Sequence, residues 1–229
     1  MTLPAILQAG QSGIEVRLKC NARAKRLVLR VSNVTGEATL TVPRGVAQRE
    51  AESFIISQQD WLSRQVAKLE PLQPVVLGAE IPIQGQVVRL ELGQGRIFRE
   101  EKTLFLGGKP ETVGARLKAY LKNLARDQLV SETEKYAHQV SRPFGRISLR
   151  DTRSRWGSCT TNGDLMYSWR LIMAPPQVLS YVAAHEVAHL LEMNHSSRFW
   201  SQVDKLMPDY TVHRDWLRNN GTDLHKYRF

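Results

Sequence analysis

Cysteine is scarce. The 229 residues hold two, Cys20 and Cys159, far apart in the chain and too few for a disulfide framework. No run of about 18 apolar residues exists, which excludes a membrane-spanning helix. The opening MTLPAILQAG lacks the basic start of a secretory signal, so a cytoplasmic protein is expected. No helix-turn-helix, zinc-finger or RNA-recognition signature is present either, which argues against sequence-specific reading of nucleic acid. Acidic residues are in deficit, 22 against 32 Lys and Arg, giving a net charge of +10. What remains is a chain with 42% apolar content, long enough to bury a sizeable core in one large or two small domains.

Against this background stands HEVAHLLEMNH, residues 185–195. Two histidines four apart on a helix lie about 40° apart around the axis and roughly 6 Å apart along it, so His185 and His189 can reach one metal from one face. Glu186 is placed to take a proton from water at that metal. Three neutral nitrogen ligands leave a fourth tetrahedral position open, which separates a catalytic zinc from a structural one. The third ligand, His195, requires the helix to stop first, since six further helical residues would turn it about 240° away from His189. Asn194 tolerates the left-handed conformation that ends helices, and the polar MNHSS after the apolar HLL agrees with a break there.

The motif sits in an apolar helix, YVAAHEVAHLL. Burying two imidazoles and a carboxylate without partners would cost several kcal/mol, and a metal satisfies them. His138, His213 and His225 lack this setting and read as structural or solvated. Metzincins share the six-residue step to a third histidine, but the glycine of their turn would fall where this chain has Glu192, so membership there is rejected. Met207, before a proline, reads as a core methionine rather than a Met-turn.

SRWGSC at 154–159, followed by YVAAHEVAHLLEMNHSSRFW at 181–200, with Val42, Pro43 and Trp61 in the N-terminal part, resembles the YgjP-like metallopeptidase domain. This bacterial family is related to the SprT-like and yeast Wss-type zinc proteases. WGSC, HExxH and NHSxxFW occur together in the family's order and spacing, and the resemblance covers essentially the whole chain. It implies His185, His189 and His195 as zinc ligands and Glu186 as catalytic base.

Cys159 could be a nucleophile or a fourth ligand. A thiolate there would close the site, so a small packing residue is the better reading. Arg155 has two readings of equal weight: stabilising an oxyanion or anionic substrate group, or pairing with an acid such as Glu192 to hold the site loop. Tyr210 and His213 are further oxyanion candidates.

Along the chain, GIEVRLK, KRLVLRV and ATLTV alternate as strands, with SNVTGE as a turn. Val46 to Leu69 repeats at helical spacing until Pro71 and Pro74. A second β-rich patch runs from IPIQGQVVRLELGQGRIF to TLFLGG. From Pro110 a long helix is predicted to about Val140, with Val113, Leu117, Leu121 and Leu129 on one face. GRISLR and DLMYSWRLI read as strands, the latter as the edge strand that would bind extended peptide. SRFWSQVDKLM and TVHRDWLRNNG read as short helices, the second stopped by Gly221. The expectation is an α+β fold: a β-rich part with one amphipathic helix over 1–109 and a zincin-like metal-binding catalytic domain over 110–229.

The expected chemistry is zinc-assisted hydrolysis of a polypeptide. Zinc acidifies water to a pKa of about 7, and Glu186 takes its proton and passes it to the leaving amine. The same centre could attack phosphorus instead, so a nucleotide pyrophosphohydrolase is an alternative, as is a nucleic-acid-associated protease of SprT-like type. Arg17, Lys19, Arg23, Lys25, Arg26 and Arg30 against Glu15 alone in the first 30 residues, and the stripe Lys118, Lys122, Arg126, would attract a polyanion or be simply solvated. A module with a vestigial metal centre is a third possibility, against which the intact Glu186 counts.

Overall fold

The computed structural model describes residues 4–10, 13–32, 35–67 and 71–229. They form two compact units, Met1–Pro71 and Leu72–Phe229.

In the first unit the alternating segments become β2 (Glu15–Cys20), β3 (Val28–Val31) and β4 (Ala38–Val42), joined by β1 (Ile6–Gln8) in a sheet of order β1-β2-β4-β3. Alternation decides its faces. Ala38, Leu40 and Val42 are buried with Val16, while Arg17 and Arg30 flank Thr39 on the other side and Lys19 stands opposite Thr41. Three of the early basic residues thus share one sheet face. Helices α1 (Gln48–Ser57) and α2 (Gln59–Ala67) add Ala51, Ile55 and Leu62 to the core. A single helix over Val46–Leu69 was expected, but the helix breaks at Gln58 (φ −105°, ψ 6°). The Ser57 hydroxyl donates back to the Phe54 carbonyl at 2.8 Å and the Gln58 amide to Ile55 at 3.1 Å, tightening the last turn. Leu69, and Asn33 and Val34 of the SNVTGE turn, lie outside the described residues.

The second unit opens with β5 (Gln73–Pro74), followed by β6 (Glu80–Ile83), β7 (Gln86–Leu92), β8 (Phe98–Glu100) and β9 (Thr103–Leu106) in a sheet of order β6-β7-β9-β8. Its apolar residues Ile81, Ile83, Val88, Leu90, Leu104 and Leu106 share one core with Val113, Leu117, Leu121 and Leu129 of α3 (Val113–Gln139). For that reason the compact units divide at Pro71–Leu72, whereas composition placed the boundary at 109. The long helix begins in a 3-10 turn at Pro110–Thr112 and ends at Gln139, close to the predicted span. Among the described residues no helix is long and apolar enough to cross a membrane.

After α3 come β10 (Ile147–Arg150), β11 (Gly157–Cys159) and β12 (Leu165–Ser168), in the order β10-β12-β11. Of the expected edge strand, DLMYSWRLI, only Leu165–Ser168 is extended, Trp169–Met173 forming a 3-10 helix, and that strand is the central one: β12 pairs in parallel with β10 and antiparallel with β11. Its Leu165, Tyr167 and Ser168 are buried, and the most apolar strand of the three takes the position with neighbours on both sides. The polar GSC of β11 is left at the edge. Helices α4 (Pro176–Ala188), α5 (Ser197–Leu206) and α6 (Tyr210–Asn220) complete the α+β fold, and β13 (Tyr227–Arg228) returns to pair with β5. Gly221 does not end α6 in the left-handed conformation. Its φ is −60° and the chain runs on into a 3-10 turn, while a Cβ there would come within 2.9 Å of the Trp156 ring. Close packing, rather than a turn, needs the glycine.

Candidate metal centre

Pro176 opens α4 at the position where a missing N–H costs nothing. Val178, Leu179, Val182, Ala183, Ala184, Val187 and Ala188 then make the helix apolar nearly all round, and it is buried accordingly. His185 and Glu186 ride on its last turn. The helix ends at Ala188, with His189 as its cap (φ −66°, ψ −18°). Leu190 and Leu191 donate to Val187 and Ala188 at 2.9 and 3.1 Å, a tightened 3-10 exit. The break thus comes five residues before Asn194, which has no positive φ. The Asn194 side chain instead accepts the Ser196 N–H at 3.2 Å, steadying the return of the chain into α5.

This return brings His195 back. Its Nε2 lies 3.1 Å from His185 Nε2, and the three rings stand 4.8–5.1 Å apart, centroid to centroid. One donor atom from each of His185, His189 and His195 lies within 4.8 Å of the others, the one such grouping among the described residues. Nitrogens bound to a common zinc ion are about 3.3 Å apart, so small side-chain rotations suffice. The donor chemistry fits too. A carbonyl can only accept, so His189 Nδ1 carries the proton in its 3.0 Å bond to Glu192 O, leaving the Nε2 lone pair for an ion. Burial and the neighbouring imidazoles push His185 down to about 3, and burial lowers His189 as well, so both rings are neutral at physiological pH, the form a metal ion needs. His185 Nδ1 is buried without a hydrogen-bond partner. The nitrogen of this ring that faces the cluster is Nε2, which lies against His195.

Sequence reasoning passed over the floor beneath these rings. Phe199, fully buried, stacks on His189 at 4.4 Å and meets His185 and His195 edge-on at 4.9 and 4.8 Å. It fixes all three ring orientations at once. Ser196 places it by capping α5 and accepting the Phe199 N–H at 3.4 Å. The signal was the S-x-x-F spacing inside SSRFW.

A cleft of about 460 Å³ opens over the triad, lined also by Glu186, Gly157, Ser158, Cys159, Arg155 and Met193. Burial pushes the Glu186 carboxyl up to about 8, against the opposing pull of the Arg155 guanidinium. The carboxyl packs on the backbone of Gly157: a Cβ there would overlap Glu186 Oε1 and lie 2.7 Å from Cδ. Gly157→Ala should therefore displace Glu186 while leaving the three imidazoles in place. We expect metal content to be unchanged and kcat/KM to fall by about 10²-fold, as for a misplacement near 1 Å, measured on metal-loaded protein. Cys159 is held as the thiol. Burial, then Glu186 and Asp164, push it up to about 11, and its Sγ donates to Thr160 O at 3.4 Å.

Arg155 forms no ion pair with Glu192 or another acid among the described residues, and it lines the cleft, near enough for its charge to act on Glu186. Tyr210 stands behind the triad, stacked on Trp200 at 5.5 Å and Tyr181 at 6.3 Å. His213 pairs with Asp209 at 3.0 Å. Neither lines the cleft. The loop that carries Arg155 is anchored from behind: Arg170 donates to Asp151 at 2.6 Å and to Leu224 O at 2.8 Å, and Trp156 packs on the buried His225 at 5.1 Å.

A comparison with curated proteins finds no match. Among solved structures, the metallopeptidase zymogen abylysin from Pyrococcus abyssi is 22% identical, with a TM-score of 0.35, over 42% of this chain and 93% of that one. The profile of the YgjP-like metallopeptidase domain matches residues 25–220, a span that takes in the helix of the two histidines, the turn that returns the third and the strand against which Glu186 packs. The chain belongs to the YgjP-like metallopeptidase domain family.

Proposed function

We propose that this metallopeptidase is a zinc enzyme in which His185, His189 and His195 hold the ion and Glu186 is the general base. The observation that carries this is the convergence of three imidazoles, with neutral donors and a common aromatic floor, in the cleft that Glu186 lines. Zinc in that place supplies Lewis acidity toward the substrate carbonyl and toward water.

The chain's own residues do the rest. Glu186 takes the proton of the attacking water and returns it to the leaving amine. Its burial makes it a good proton store, since a carboxyl raised toward neutrality both accepts and releases near the working pH. The outer edge of β11, beside Glu186, pairs with no strand among the described residues and is open to an extended polypeptide. Of the three candidates for contact with an oxyanion or substrate group, Arg155 is the one that lines the cleft. The catalytic machinery falls within residues 110–229, and a cytoplasmic enzyme acting on polypeptide is the reading we adopt.

The test offers metal-loaded wild type a casein-like polypeptide and nucleoside triphosphates side by side, with Glu186→Gln as control. Peptide release that needs Glu186 is expected. Release of pyrophosphate without peptide would replace the peptidase by a nucleotide pyrophosphohydrolase.

A further inference from the structure

We propose that Arg150 and Arg155 form a subsite for a carboxylate, so that the enzyme prefers polypeptides with Asp or Glu within two positions of the cleaved bond. This rests on the peptidase reading above.

The register of the three-stranded sheet sets Ser148, Met166 and Ser158 in one row across β10, β12 and β11. The next row, Leu149, Tyr167 and Gly157, points the other way, with Tyr167 buried in the core. Pleat alternation then puts Arg146 and Arg150 on the side of Ser148. That side bounds a cavity of about 310 Å³, lined by Arg146, Arg150 and Arg155 with Thr152, Ser154 and Ser158. Its charge is unbalanced. Asp164, the one carboxylate on the wall, is already engaged by Arg146, at 3.5 Å through the guanidinium and 3.0 Å through the backbone N–H. Arg150 and Arg155 have no ion pair among the described residues.

Arg155, Ser154 and Ser158 also line the metal cleft, so cavity and cleft adjoin. A substrate strand added to the edge of β11 presents alternate side chains to the two sheet faces. Those on the Ser158 face lean over the cavity. Glu186 packs against Gly157, the neighbour of Ser158, so the side chain over the cavity belongs to a residue close to the bond under attack. Two guanidiniums that form no ion pair among the described residues, ringed by hydroxyls, complement a carboxylate and repel Lys or Arg.

The experiment uses the full-length, metal-loaded chain and quenched fluorescent peptides that differ only in Glu, Gln or Lys at each position around a common cleavage site. Expected is a kcat/KM about tenfold higher for Glu than for Gln at one position near the cut. Arg150→Gln should bring the ratio toward one, and Arg150→Glu should turn the preference to Lys. Cleavage of all three peptides at equal rates would overturn the subsite and leave the peptidase reading standing. If no peptide is cut, the peptidase reading fails and the subsite, which exists for that substrate, fails with it.

Discussion

Glu186→Gln keeps the metal and lowers kcat by about 10²–10⁴-fold, the usual worth of a positioned general base. The amide has the shape of the carboxyl, so it packs against Gly157 as before, but it cannot accept a proton. Glu186 is not in the donor grouping of the three histidines, hence the metal content is untouched. Thermal stability should not fall. The wild-type carboxyl is pushed up to about 8 by burial, and a neutral amide avoids the desolvation that causes the shift. Metal analysis, turnover and a melting curve on one preparation check all three points. Loss of metal together with turnover would make Glu186 a ligand or a structural group instead.

His195→Ala has the opposite signature: metal and turnover disappear together while the fold persists. His195 is exposed, on the loop between α4 and α5, so its removal takes little from the core. As a ligand its loss should weaken metal binding by more than the roughly 10–100-fold typical of groups that only orient ligands. His138→Ala, on the exposed side of α3, serves as control and should bind metal as the wild type does. Competition with a chelator of known affinity measures the difference. Retention of metal by His195→Ala at wild-type affinity would remove the third ligand from the site.

The contrast between these residues shows where sequence is sufficient. The pairing of His185 with His189 and Glu186 is local, set by 3.6 residues per turn, and it survives intact in α4. That His195 must return follows from the same geometry. How it returns does not: the exit at His189 depends on the 3-10 bonds of Leu190 and Leu191 and on the Glu192 carbonyl finding His189 Nδ1, while Asn194, the expected pivot, takes another task. Strand order is non-local. DLMYSWRLI shows its apolar alternation plainly, yet whether it lies at an edge depends on β10 and β11 finding it from both sides. The division of the chain went the same way, because composition separates β-rich from helical stretches and cannot see that β6, β7 and β9 share the core of α3. Gly157 and Phe199 were in view, inside WGSC and HSSRFW, but their contacts with Glu186 and the three imidazoles exist only once the turn is made.

X-ray absorption at the zinc edge of the purified chain reads the coordination directly. Three imidazole nitrogens at about 2.0–2.1 Å with one further oxygen ligand and no sulfur are expected, and His195→Ala should not yield that spectrum. A sulfur scatterer at about 2.3 Å, which would bring Cys159 into the sphere, or a complete shell lacking His195, would contradict an open three-histidine centre.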